Sequence, residues 1–477
     1  MTTLFDPTLE NVLLAFRQAK NTVAAERDFV GRMDLARFEM RLGTRLGQLQ
    51  RLLGDGQWFD QIGIGGLLVL PKAVNRTSKE QDNIVRIGVP LHGNLTMKVR
   101  FQLAPSPEFA TAEVLYLWEF GGALEAMLDD SCLGYRLKRV AQDGTMDQYD
   151  RSVYEYWPAY FERYRSDPIA VARQALKSTQ SVLVTSTDVV SFFDSIDPRF
   201  LIDDSFVSRI AIAAAHKHRP FSTKRFVAAT TSLLRRFREF RELRREAGSY
   251  DGDDGVGIPI GALTSRVFAN VALSSVDSHI QRLPHVLLYR RYVDDIVIVS
   301  HPADVSDVVD APQVLGSLFP GFSSVNRRDR FVVPATRASF DLNADKTRVH
   351  LLQGAVGLHF LSAVQRSFSA VTSERRAFIG DVGRLTSEFA AIKLSGNDPD
   401  GAEGLPRLRD ADRFTLRRFM SGAYVRALER CAVLLSTGAA AKVFEDRTRR
   451  MLDILESNPQ LEDFEFVLDL LKIALLC

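Results

Sequence analysis

Residues 290–300 read RRYVDDIVIVS, placing two adjacent carboxylates, Asp294 and Asp295, beside Tyr292 and ahead of a β-branched apolar run. An unpaired carboxylate inside an apolar strand costs several kcal/mol. The pair is instead expected at the tip of a tight turn, where Asp is favoured, with Ile296 and Ile298 anchoring the strand that follows. Clustered carboxylates suit a hard divalent cation. Mg²⁺ wants roughly octahedral oxygens and takes only one or two protein carboxylates plus phosphates. A further acid at another strand end would complete a site for two ions ~3.5–4 Å apart, gripping the attacking and leaving oxygens of a phosphoryl transfer. Asp188 meets that need, because it ends the apolar run SVLVTSTD (181–188). Between the acids lies GIPIGALTSRVFAN (257–270). Gly257 and Gly261 bracket Pro259 there, a rigid loop whose glycines let backbone approach a ligand closely. Ser265 and Asn270 fall on the helix expected next, and loop plus helix suit a surface for a base pair and its sugar.

These residues need a frame. Residues 1–55 have helical spacing (Leu9, Val12, Leu13, Phe16), whereas 56–106 carry short strand candidates broken by Gly and Pro. Helical texture returns over 110–180, interrupted by SCLGYR (131–136), and again over 201–247, ending in LLRRFREFRELRRE. That last run puts Phe237, Phe240 and Leu243 on one face and reads as a packed helix with a charged outer face. Short strands are expected within 330–364 (RFVVPA, RVHLL, LHFLSAV), and helix from about 370 to the end, with a boundary near 366.

The bulk numbers narrow the class. A chain of 477 residues, 46% hydrophobic and 25% charged, is an ordinary globular composition with material for two to four domains. A net charge of +2 does not argue for or against nucleic acid. Cys132, Cys431 and Cys477 are too scattered for a disulfide framework, no stretch approaches the ~18 apolar residues of a membrane span, and the start lacks a secretion pattern. A soluble cytoplasmic protein is expected. DGDDG (251–255) begins like a calcium loop but has Ala262 at its twelfth position, and GIGG (63–66) lacks dinucleotide-fingerprint spacing.

In order along the chain, TDVVSFFDSID (187–197), GIPIGALTSRVFAN, YVDD (292–295), LNADKT (342–347) and HFLSA (359–363) resemble the successive palm motifs of a reverse transcriptase. More loosely, the PK at 71–72, the basic segment around Arg86 and LGYR (133–136) are similar to that family's fingers. The resemblance covers about residues 55–365 and implies an α+β right-hand polymerase fold. It would comprise an N-terminal helical segment (1–55), fingers (56–180), a palm with an antiparallel sheet (181–365) and an all-helical, thumb-like C-terminal domain (366–477). Carried over by position, Asp188 and Asp294 match the metal-binding aspartates and Asp295 their neighbour. The implied cofactor is two Mg²⁺, with Mn²⁺ as a substitute. Phe193 matches the ring that sits under the sugar and rejects a 2′-hydroxyl. Tyr292 matches the aromatic residue near the primer end, and Lys346 a lysine that assists the leaving pyrophosphate. Gly257, Pro259, Ile260, Gly261 and Ser265 match the loop and helix against the incoming nucleotide, and Lys72 and Arg86 stand as triphosphate clamps.

The chain also departs from the pattern. Ile260 stands where the family usually has Gln, and Arg266 where many relatives have Pro. Such loops resemble those of diversity-generating and abortive-infection enzymes, and the Arg/Leu-rich C-terminal helices resemble the extension of bacterial antiphage reverse transcriptases. The resemblance therefore implies an RNA-directed DNA polymerase of antiviral defence. Its partners would be an RNA template (a cis-encoded noncoding RNA), deoxynucleoside triphosphates, the DNA product, and a second copy or partner protein, with no membrane. Two alternatives stay open: template-independent synthesis primed on a protein hydroxyl such as that of Tyr424, and a non-catalytic, RNA-binding, maturase-like role.

Overall fold

The computed structural model describes residues 7–25, 29–54, 59–76, 95–138, 146–178, 181–217, 221–248, 255–302, 310–325, 328–334, 338–344, 346–372 and Arg449. Three helices open the chain: α1 (Leu9–Ala25), α2 (Phe29–Glu39) and α3 (Leu42–Gly54). On α1 the buried face is Val12, Ala15, Phe16, Ala19 and Val23, while Leu9 and Leu13 are exposed. Strands β1 (Gly65–Arg76) and β2 (Leu95–Pro105) form a two-stranded sheet. Helix α4 (Pro107–Ala126) follows; the Ser106 hydroxyl caps it by accepting from the Phe109 N–H, and Pro107 fills its first turn. Nearly every residue of α4 is buried, against α1, α7 and α9, so it is the central post of the core rather than a surface helix.

Next come α5 (Trp157–Ser178), β3 (Ser181–Asp188), the short α6 (Phe192–Ser195), a 3-10 turn (Pro198–Ile202), α7 (Asp204–His216), α8 (Thr223–Glu246), α9 (Leu263–Ala272) and α10 (Ser274–Gln281). The chain then forms β4 (Val286–Tyr292), β5 (Asp295–Ser300), α11 (Ala311–Leu318), β6 (Ser323–Val325), β7 (Arg328–Val332), β8 (Ser339–Leu342), β9 (Arg348–Gln353) and α12 (Gly354–Thr372). The class is α+β. Its main sheet is antiparallel with order β4-β5-β3-β9, and α5 packs against β3, β4 and β5. A second, three-stranded sheet runs β6-β7-β8.

The chain divides into two compact units, residues 1–69 with 101–365, and 70–100 with 366–477. The first unit carries the whole main sheet. Beyond Thr372, apart from Arg449, the expected helical domain and Tyr424 lie outside the described residues.

Two expectations need correction, and a third in part. LHFLSAV (358–364) is not a strand but part of α12. Among the α12 residues whose burial is described, Gly357 and Leu361, one turn apart, are the buried ones, and a Cβ on Gly357 would stand 3.1 Å from Leu352 and 3.2 Å from Leu176. Helix α8 keeps the expected charged outer face, with Arg235, Arg238 and Glu242 exposed, but Arg241 and Arg244 are buried alongside Phe237 and Phe240. Ser265 and Asn270 form no exposed platform, since both are wholly buried on α9.

Candidate active site

Antiparallel pairing brings the acids together. β3 runs beside β5 with Leu183 opposite Ser300 and, at the other end of the ladder, Asp188 opposite Asp295. The same pairing carries the Val189 N–H to the Asp294 carbonyl at 3.3 Å. Strand interiors hold the position: Ile296 and Ile298 are fully buried on β5, and Val182 and Leu183 are buried on β3. The charges therefore collect where the ladder ends and the backbone turns away.

Asp188 is 6% exposed. Lys346 donates to its Oδ2, and that bond raises the lysine's pKa, so the ammonium is charged at neutral pH. The lysine side chain is 64% exposed, an adjustable counter-charge on the solvent side. Its turn is tied to the same residue, as Asn343 N–H donates to the Asp188 carbonyl (2.9 Å) and Thr347 Oγ1 meets Thr187 Oγ1 at 2.7 Å. Asp188 Oδ1, by contrast, is buried without a hydrogen-bond partner. Such an orphaned lone-pair site is costly unless something fills it. Asp295 opens to solvent on one side, yet protein walls in its carboxyl elsewhere. That desolvation, then the charges of Asp294 and Asp188, push its pKa up to about 6 against a weaker pull from Lys346.

Among the described residues no three His, Cys, Asp or Glu side chains form a ready-made metal cage. Magnesium does not ask for one when phosphates supply the remaining oxygens. The hard oxygen donors and the orphaned Asp188 Oδ1 suit a divalent cation whose remaining oxygens come from phosphate and water.

The turn bearing Asp294 is strained and braced. Tyr292 pairs with Asp295, leaving Val293 and Asp294 as a two-residue hairpin loop. Val293 has φ of +62°, a left-handed conformation that a β-branched residue adopts only under constraint. The constraint is visible. The Arg291 guanidinium is completely buried and places all five N–H groups. It bonds Asp277 through Nε (2.8 Å) and Nη2 (2.6 Å), the Val293 carbonyl through Nη1 (2.9 Å), and the Asn270 carbonyl (3.1 Å) and Oδ1 (3.3 Å). On the other side the LGYR segment lies against β4, with Leu133 N–H on the Arg291 carbonyl at 2.7 Å. A Cβ on Gly134 would stand 2.8 Å from the Val293 nitrogen, so only glycine allows that approach. Asn270 completes the brace by donating to the Gly134 carbonyl (2.6 Å).

The 257–261 loop is fastened at both ends. Gly257 N–H donates to Ile196 (2.7 Å) and Ile258 N–H to the Phe193 carbonyl (2.9 Å), which joins the loop to the segment after Asp188. The Ile260 carbonyl accepts from Leu103 N–H (2.7 Å). Gly257 and Gly261 have φ of +98° and +106°, and a Cβ on Gly261 would lie 2.2 Å from the Leu103 carbonyl. From below, Arg241 donates to the Gly257 carbonyl (2.8 Å) and Arg244 pairs with Asp194. Pro259 is buried and Ile260 half-buried on this loop. Phe192 is buried and Phe193 half-buried against the same core, their rings 6.0 Å apart. Ser265 is brought to the interior, its Oγ buried without a partner. At the head of α9, Glu113 from α4 accepts from the Leu263 and Thr264 N–H groups (3.1 and 2.9 Å); burial pushes its pKa up to about 7 against those bonds.

Tyr292 is half-buried within rings that the sequence reading passed over: Phe161 (5.2 Å between centroids), Tyr164 (6.0 Å) and Tyr135 (6.4 Å). Burial and then the charges of Asp295, Asp294 and Asp188 drive the Tyr164 pKa upward, so the acids act on that phenol through space. Its signal in the sequence is only the aromatic spacing in YWPAYFERYR. Lys72 lies on β1, in the other compact unit from the acids, and Arg86 lies outside the described residues. Compared with known proteins, the chain matches no family model and no curated sequence.

Proposed function

We propose that this chain is a nucleotidyltransferase with the right-hand polymerase fold, and specifically an RNA-directed DNA polymerase. The observation that carries the reading is the β3–β5 register, which sets Asp188 opposite Asp295 with Lys346 on the first of these carboxylates. Asp188 and Asp294, with Asp295 alongside, would hold two Mg²⁺, or Mn²⁺ in their place. When bound, these ions would polarise a primer 3′-hydroxyl and neutralise the triphosphate. In the reaction the 3′-oxygen bonds to the α-phosphorus, the bond to the bridging oxygen breaks, and pyrophosphate leaves. The chain's own share is positioning and charge. Lys346, cationic and exposed, is placed to exchange Asp188 for the departing phosphates. Phe193, half-buried in the segment after Asp188, would lie under the sugar and exclude a 2′-hydroxyl. The pinned Gly257–Gly261 loop offers backbone to the nucleotide.

Purified protein supplied with Mg²⁺ and deoxynucleotides is expected to make DNA, and Asp294→Ala to abolish synthesis. Equal synthesis by the variant would remove the site assignment. Phe193→Ala is expected to admit ribonucleotides, read as the ratio of ribo- to deoxynucleotide incorporation. A role in antiphage defence rests on the likeness of the Pro259-Ile260-Gly261 loop and the C-terminal extension to those of abortive-infection and antiphage reverse transcriptases.

Ile260 favours a second reading, polymerisation without a template, because its side chain cannot hydrogen-bond an incoming base. Digesting co-purified RNA before the assay separates the two: templated synthesis stops, template-free synthesis continues.

A further inference from the structure

The N-terminal half of α5 carries more aromatic surface than its packing uses. Within YWPAYFERYR, residues Trp157, Tyr160, Phe161 and Tyr164 follow three- and four-residue spacing and so share one helix face. Yet Trp157 is 48% exposed and the preceding Tyr156 73% exposed. Adjacent exposed rings form a contiguous apolar patch, the kind of surface that marks an interaction site. The rings form a series: Trp157 meets Phe161 (6.2 Å), Phe161 meets Tyr164 (6.0 Å, stacked), and both Phe161 and Tyr164 meet Tyr292 next to the acids. Guanidiniums are interleaved with them. Arg163 lies over Tyr160 (5.9 Å) and Arg165 over Phe161 (5.7 Å).

We infer that this face of α5 is a stacking platform for single-stranded nucleic acid, leading a strand end to the Asp188–Asp294–Asp295 cluster. The inference rests on the polymerase reading for the strand's destination, but not for its binding. Aromatic faces accept any base, and interleaved arginines add cation–π and phosphate contacts. From Trp157 to Phe161 the helix advances about 6 Å, matching about two nucleotides at ~3.4 Å each. Glu155 and Glu162 offset the two arginines. Stacking rather than net charge therefore holds the strand, and affinity falls only shallowly with salt.

The test is binding of fluorescein-labelled oligothymidine and oligouridine to the full chain in EDTA, by anisotropy, alongside synthesis assays with Mg²⁺. Trp157→Ala and Tyr156→Ala, at exposed positions, are expected to keep the wild-type melting temperature and each to weaken binding about tenfold, the size of one lost base stack (~1.4 kcal/mol). Trp157→Phe is expected to bind normally while losing the quenching of tryptophan fluorescence on binding. Asp294→Ala is expected to bind as wild type and make no DNA. Platform variants that bind as tightly as wild type, or a wild type that binds neither oligonucleotide and instead dimerises with concentration, would overturn the platform and leave the polymerase reading to its own assay. Weakened binding in the platform variants together with undiminished synthesis by Asp294→Ala would support the platform while sinking the catalytic assignment.

Discussion

Asp295 carries the most direct electrostatic consequence. Its carboxyl titrates near 6 in the fold against an ordinary 3.8. A raised value means that the folded chain binds the proton more tightly, so stability falls as pH rises from about 4 to about 6 and stays reduced above it. Asp295→Asn is therefore expected to raise the melting temperature at pH 7.5 and to change little at pH 3.5. Because solvent reaches one side of the group, the gain should be about 1–2 °C. A variant that melts lower than wild type at pH 7.5 would contradict this account. Lys346→Met should leave the fold intact and lower synthesis about 10²-fold, the usual range for a residue that assists a leaving group. These acids were legible because strand-ending and turn-tip carboxylates violate the apolar rule of their surroundings. Tyr164 was not, because an aromatic residue at helical spacing looks the same whether it fills a core or lines a site.

Among the elements, the β4–β5 hairpin stands out for the support it draws from three other segments. Gly134→Ala would force a methyl against the Val293 backbone, which cannot yield as a flexible side chain would. It is expected to cost about 1–3 kcal/mol in stability and to reduce synthesis more than tenfold by displacing Asp294. Arg291→Met strands Asp277 in the interior. It should cost about 3–5 kcal/mol, while pairing it with Asp277→Leu should recover much of the loss, as thermal or urea unfolding would read. The main strands were readable from their alternation and end signals. The helical state of 358–364 was not: a short run with apolar residues at 358, 360, 361 and 364 fits either period, and only its packing on Leu352 and Leu176 decides. Likewise Arg241 and Arg244 face inward because the loop carbonyl of Gly257 and the carboxylate of Asp194 await them, partners that a single helix cannot reveal.

At the scale of the molecule, the first compact unit gathers residues 1–69 and 101–365 around α4 and the main sheet, so ligand binding at the acids should be felt as the stability of that whole unit. A deoxynucleoside triphosphate with Mg²⁺ is expected to raise the melting temperature of the wild type with ligand concentration, and to do so far less for Asp188→Asn. An equal shift in both would place the nucleotide elsewhere. Among the described residues no helix is long and apolar enough to cross a membrane.

Consider finally the ladder that faces Asp188 with Asp295. Strand neighbours alternate sides, so sliding β5 by a single residue would turn its inward chains outward and carry Asp294 and Asp295 away from Asp188 on β3. A molecule that has paired its strands wrongly is then inert rather than sluggish. In a heterogeneous preparation, turnover per mole should scale with the fraction of correctly assembled chains, while the affinity for nucleotide among those that work stays constant.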